Sequence, residues 1–203
     1  MKEFWNERYG TDEYVYGTAP NVFFKEMLEK YNILGKALFP AEGEGRNAIY
    51  AAENGLEVVA FDYSNVARNK AMELATNRGV AIDYRVGEFQ ELGLEDERFD
   101  AVVLIFAHFA PNAVRELHQN LIKVLKPRGV IILEGFSENN LVLKKKNPKV
   151  GGPNNIEMLF SIAKLQDQFK NMDILQLEEV ETELQEGPFH QGVGRVIRFV
   201  GRK

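Results

Sequence analysis

Apolar residues recur along this chain in short unbroken runs, and turn residues set these apart from segments of helical period. Lys36-Ala37-Leu38-Phe39 reads as a buried strand, and residues 48–53 as the first turns of a helix. Residues 57–61 form a second apolar strand, closed by Asp62. Ser64 or Asn65 opens a helix that ends at Arg78-Gly79, with the glycine as its C-cap. Residues 81–86 read as a third strand and 101–106 as a fourth. The continuous apolar character of 101–106 suits a central parallel strand covered on both faces. Pro111-Asn112 leads into a helix to about Leu125, Lys126-Pro127-Arg128-Gly129 is a turn, and 130–133 is a fifth strand. Strand and helix in alternation imply a parallel sheet with right-handed crossovers.

Both ends of the chain depart from this rhythm. Trp5, Tyr9, Tyr14 and Tyr16 crowd an N-terminal arm, which Gly17, Pro20 and Asn21 break. Asn21 is placed to cap a helix to about Tyr31, with Val22, Phe23, Met27, Leu28 and Tyr31 as one apolar stripe. Residues 137–155 are polar, contain Gly151-Gly152-Pro153, and read as a loop or lid. A helix near 157–169 follows. Two long strand-like runs, 173–184 and 194–200, flank a turn-rich stretch and read as an antiparallel hairpin. The expected fold is therefore α/β, doubly wound and Rossmann-like, with a mostly parallel seven-stranded sheet closed by the hairpin. One domain over 1–203 is expected, with 1–31 as a covering arm and 137–157 as a possible substrate lid.

Candidate chemistry concentrates at Phe39-Pro40-Ala41-Glu42-Gly43-Glu44-Gly45-Arg46-Asn47-Ala48. A strand, a tight glycine turn and a helix form the cofactor corner of an open α/β sheet. Glycine lets a ligand approach the backbone, and the helix start presents free N–H groups. Asp62 lies about 20 residues beyond Gly43, where such folds bind a ribose hydroxyl. Net charge is −5, which disfavours a broad nucleic-acid surface. The Lys144-Lys145-Lys146 run then reads as a solvated loop. With no cysteine, disulfides, thiolate metal sites and Cys nucleophiles are excluded together, and a reducing cytoplasm suits the chain. Three scattered histidines suggest no metal site. No apolar run is long enough to span a bilayer.

Several of these pieces, in this order, resemble the class I S-adenosylmethionine-dependent methyltransferases. They are Glu42 to Ala48, Asp62 after strand two, Gly87-Glu88 after strand three, Phe99-Asp100 opening strand four, and Leu125-Lys126-Pro127-Arg128-Gly129 before strand five. Trp5 with Arg8-Tyr9, Gly17-x-x-Pro20-Asn21, and Glu186-Gly187-x-x-His190-x-Gly192 resemble the tellurite-resistance and thiopurine-type branch of small-molecule enzymes. The resemblance implies S-adenosylmethionine as cofactor. It gives Gly43 and Gly45 the methionyl part, Asp62 the ribose, Glu88 and Phe89 the adenine, and Phe106 the floor of the transfer site. In tellurite-resistance relatives a His and an Arg of the hairpin line the acceptor site; His190 and Arg195 match them. Gln191 stands where that branch has a second basic residue. Phe39 and Ala41 replace its usual acid and first glycine, with Glu42 or Glu44 as substitutes for the acid.

Methyl transfer from a sulfonium needs an aligned, dry acceptor more than a nucleophile–base triad. His108, just after strand four, is a candidate to take a proton from the acceptor, or else caps the strand end by hydrogen bonding. His118 is expected on the surface. Tyr9 and Tyr16 either pack the arm onto the body or cover the cofactor mouth, where aromatic faces attract a ligand cation. Without a Cys, cytosine-C5 methylation is excluded. Ala107-His108-Phe109-Ala110-Pro111 lacks the Asn/Asp-Pro-Pro-aromatic pattern of amino-methylation of bases. A small-molecule acceptor is expected: a thiol, a chalcogen oxyanion, or a small oxygen or nitrogen nucleophile. Two rivals stand beside this: an NAD(P)-binding oxidoreductase and a non-catalytic interaction module.

Overall fold

A computed structural model describes residues 2–203. Its strands are β1 (Lys36–Pro40), β2 (Glu57–Asp62), β3 (Asp83–Val86), β4 (Phe99–Ile105), β5 (Leu125–Phe136), β6 (Asp173–Glu186) and β7 (His190–Arg202). They form one seven-stranded sheet in the order β3-β2-β1-β4-β5-β7-β6. The first five run parallel, and β7 joins antiparallel between β5 and β6. The expected architecture and the closing hairpin are both present.

Strand β1 is buried along most of its length because helices cover both faces. Its side chains alternate: Ala37 and Phe39 enter one core, Leu38 the other. The first core lies under α2 (Val22–Lys30), α3 (Arg46–Glu53) and α4 (Asn65–Arg78). The second lies under α5 (Pro111–Val124) and α7 (Ile162–Gln168). Each fully buried large apolar side chain contributes roughly 1.5–3 kcal/mol by leaving water. Phe39, the departure from the family pattern, belongs to the first core, edge-on to Phe24 at 5.7 Å. Asp100 ties three strands together: it accepts from the Lys36 N–H and from Lys126 Nζ, both at 2.8 Å.

The helix starts follow local chemistry. Asn21 caps α2 by accepting from the Phe24 N–H, and Ser64 caps α4 through the Ala67 N–H. Gly79 ends α4 at φ 70°. Val22 departs from its expected stripe and is 64% exposed, because it sits at the first helical position, facing out. Phe24 takes its place in the core.

Four further expectations need correction. The aromatic arm begins as a helix, α1 (Lys2–Tyr9). The 137–155 stretch is no open loop: Asn140–Lys146 forms α6 and Pro148–Val150 a 3-10 turn, packed on β7. The helix expected over 157–169 splits into a short turn, Ile156–Met158, and α7. A backbone bridge between Ser137 and Phe160 interrupts it. His118 is 1% exposed, not on the surface; its Nδ1 meets Gln168 at 2.8 Å and its ring stacks on Phe169. No helix among the described residues is long and apolar enough to cross a membrane.

Candidate active site

A cavity of about 530 Å³ opens at the carboxyl ends of β1, β2, β4 and β5. This is where chain order reverses across the sheet, the usual binding crevice of a doubly wound fold. Two sets of residues meet there. Ala41, Glu42, Asp62 and Tyr63 come from the β1 and β2 ends. Phe106, Phe136, Phe189 and His190 come from β4, β5 and the hairpin. Trp5, Tyr9 and Tyr16 cover it from the N-terminal segment. Trp5 and Tyr9 are stacked at 5.5 Å.

The first set is acidic and bound by backbone N–H groups. Glu42 Oε1 accepts from the Asn47 and Ala48 N–H groups, both at 2.8 Å, and so caps α3. Asp62 accepts from the Gly43 N–H at 3.1 Å and the Ser64 N–H at 3.0 Å. Burial nonetheless raises the Glu42 carboxyl to about 7 and that of Asp62 to about 6. Glu44 turns elsewhere, accepting from the Val15 N–H and pairing with Lys70. Ala41 holds a left-handed backbone, φ 52°, where the family pattern has glycine.

The glycines act one layer behind the cavity wall. A Cβ on Gly43 would lie 2.6 Å from the Tyr9 hydroxyl, and one on Gly45 would lie 2.7 Å from the Ala71 side chain. The first lets Tyr9 settle over the turn; the second lets α3 approach α4. Neither is among the residues that line the cavity, whereas Ala41 and Glu42 are.

The second set is built around His190, which is buried among Tyr16, Phe106 and Phe136, ring centres 4.5–5.1 Å away. Its Nδ1 lies 3.2 Å from Glu186 Oε2. A carboxylate oxygen accepts, so Nδ1 carries the hydrogen and Nε2 keeps its lone pair. Burial holds the imidazole below its ordinary range, which keeps it neutral. Glu186 is fixed in turn by Arg46 at 2.9 Å and by the Asn21 amide at 2.9 Å. Burial pushes the Glu186 carboxyl up, but Arg46 and His190 outweigh it and bring it to about 2. Asn21 also donates to Glu134, which accepts from Arg198 at 2.6 Å. This buried network joins the start of α2, the start of α3, β5 and the hairpin. Phe106 sits at φ 52°, a strained conformation that turns its ring into the cavity.

Other expected residues lie elsewhere or are otherwise engaged. His108 borders the cavity, but Nδ1 meets the Met158 carbonyl at 2.8 Å and Nε2 accepts from the Phe136 N–H at 3.1 Å. Both ring nitrogens are used, and burial brings the ring to about 4. It is a strand-end cross-link in this structure, without a free lone pair for an acceptor. Arg195 is outside the cavity: five residues from His190 on a strand, it faces the other side of the sheet and pairs with Glu181. Phe89 is buried in the core against Phe61 at 6.3 Å. Glu88 is exposed, caps the 89–91 turn, and borders a shallow depression with Lys2 and Tyr63. Tyr63 borders both spaces.

Arg46, Glu186 and Lys144 also border or brace the cavity, and nothing local in the sequence marks them as site residues. Glu186 and His190 are register partners at the hairpin end, so a tighter reading of the turn 187–189 would have paired them.

Residues 40–129 match the family described as a methyltransferase domain. Over its whole length the chain has the α/β fold of solved methyltransferases. A structure from work on conversion of a disulfide bond into a thioacetal group during echinomycin biosynthesis matches with TM-score 0.78 and 20% identity, over 100% of this chain and 91% of that one. TehB from Haemophilus influenzae matches with TM-score 0.71 and 16% identity, over 100% of this chain and 66% of that one. The N-methyltransferase NodS from Bradyrhizobium japonicum, solved with S-adenosyl-L-homocysteine, matches with TM-score 0.70 and 12% identity, over 100% and 97%. A demethylmenaquinone methyltransferase of Renibacterium salmoninarum is 29% identical over 102 residues, 50% of this chain. The chain spans 41% of the length of that curated relative.

Proposed function

We propose that the protein transfers a methyl group from S-adenosylmethionine to a small-molecule acceptor. The observation that carries this is the acid-and-aromatic corner at the ends of β1 and β2. Asp62 is buried and Glu42 half-buried, both with raised pKa values, beside Trp5, Tyr9 and Tyr63, an environment that a cationic ligand would relieve. Asp62 would receive the ribose hydroxyls, Tyr63 would face the adenine, and Glu42 would lie toward the charged end. S-adenosylmethionine supplies the activated methyl group when bound.

The chain's own residues then position and deprotonate the acceptor. Phe106, Phe136 and Phe189 form an apolar wall on the acceptor side. His190 Nε2 takes the proton of an acceptor O–H, N–H or S–H as the methyl group is transferred, and Glu186 stabilises the resulting imidazolium through Nδ1–H. Glu186 is a positioning residue in this scheme, held by Arg46. The 137–157 segment contributes Gly151 and Gly152 to the cavity wall and serves as a cover over the acceptor. The setting is cytoplasmic, which the cysteine-free composition suits.

A thermal-shift comparison tests the assignment. A ligand bound only by the folded state raises apparent stability. S-adenosylhomocysteine should raise the melting temperature and NAD should not. Stabilisation by NAD alone would favour the oxidoreductase, and no shift with either would favour an interaction module.

A further inference from the structure

Arg8 and Lys144 differ from the other cations around the cavity. Arg46 pairs with Glu186, Lys70 with Glu44 and Arg198 with Glu134. Among the described residues neither Arg8 nor Lys144 forms an ion pair, although both line the cavity. The Arg8 guanidinium lies 4.2 Å over the Phe189 ring and 5.3 Å from that of Phe4. Lys144 Nζ donates to the Gly152 carbonyl, in the segment that packs on Phe136. Its neighbours in the basic run, Lys145 and Lys146, are exposed. The expected solvated loop is therefore a helix end with one lysine turned inward. Burial, and then the nearby charge of Arg8, hold the Lys144 ammonium below its ordinary range. The two cations thus sense one another and share no counter-ion. Partly buried charge without a counter-ion is unfavourable, and an anion between them would relieve both.

The surroundings also constrain what carries that anion. Phe106, Phe136, Phe189 and Met158 present carbon to the same space. A bare, strongly hydrated oxyanion would lose water there without replacement. We propose that the acceptor is an organic anion, with an aromatic or aliphatic body against these side chains and an acidic group received by Arg8 and Lys144. The proposal rests on the methyl-transfer reading and narrows its acceptor class.

Calorimetry on the S-adenosylhomocysteine-loaded chain tests it, with phenylacetate and its neutral counterpart phenylacetamide as ligands. Phenylacetate should bind at least tenfold more tightly than the amide. Lys144→Met should remove most of that preference and shift S-adenosylhomocysteine affinity less than twofold; Arg8→Met should act in the same direction. Four results would overturn the proposal: equal binding of acid and amide, binding of neither, a preference that survives both substitutions, or inorganic phosphate or selenite binding as tightly as phenylacetate. Failure of the native chain to bind S-adenosylhomocysteine would instead remove the methyl-transfer reading, and that titration is read separately.

Discussion

The two ends of the cavity are built on opposite principles. At the β1–β2 end, the Glu42 and Asp62 carboxylates are held by backbone N–H groups and, among the described residues, form no ion pair. At the hairpin end, a histidine is held by a carboxylate that is itself paired, and two cations stand, among the described residues, free of ion pairs. The first end relies on main-chain geometry set by one turn. The second depends on side chains from four separated segments meeting correctly. The first end therefore suits a ligand common to a fold, and the second carries what is particular to this chain.

The sharpest way to break this contrast is to remove the brace between the ends. Arg46→Met leaves Glu186 buried without its cation, and should lower unfolding free energy by about 3–5 kcal/mol in urea titration. A loss under about 1 kcal/mol would mean that the pair is solvated and the hairpin is held otherwise. His190→Ala should lower turnover by about a hundredfold or more, as loss of a general base does, with little change in S-adenosylhomocysteine affinity. Glu186→Gln should reduce kcat more than KM and displace the pH–rate profile, a response that loss of mere packing would not give.

A pH series sharpens the acidic end. Glu42 and Asp62 take up protons as pH falls through about 7 and about 6. S-adenosylmethionine affinity should therefore weaken about tenfold from pH 8 to 5.5, roughly one unit of protonation free energy, and that of the uncharged-sulfur product much less. Equal pH responses would show that these acids do not face the sulfonium. Stability is a poorer readout. Raised carboxyl pKa values favour the folded state at low pH, and this advantage is lost as pH rises from about 4 to 7. His108 and His118, lowered to about 4, oppose it: their contribution is full above about 6.5 and is lost as pH falls toward 4. The smallest effect is expected at Arg195→Ala, with turnover and stability changed little, because an exposed ion pair contributes about 0–1 kcal/mol.

The same contrast explains what was legible in the sequence. Continuous apolar runs, caps and glycines report local geometry, so the parallel strands, Asn21, Ser64 and Gly79 could be read directly. Asp62 at its spacing from Gly43 pointed to the β1–β2 end. The hairpin end was less readable because burial there is decided by distant segments. Lys144 looked like its exposed neighbours, and His118 sits among polar residues in sequence yet against Phe160 and Phe169 in space. Arg195 was carried over by resemblance, while strand alternation places it on the face opposite His190.

The most direct test of the central claim is calorimetric titration of S-adenosylmethionine and S-adenosylhomocysteine into the native chain and Asp62→Ala. Micromolar binding, about −8 kcal/mol, is predicted for the native chain, weakened by about 1–3 kcal/mol when the buried hydrogen-bond partner is removed. Undetectable binding to the native chain, or equal binding to the variant, would contradict it.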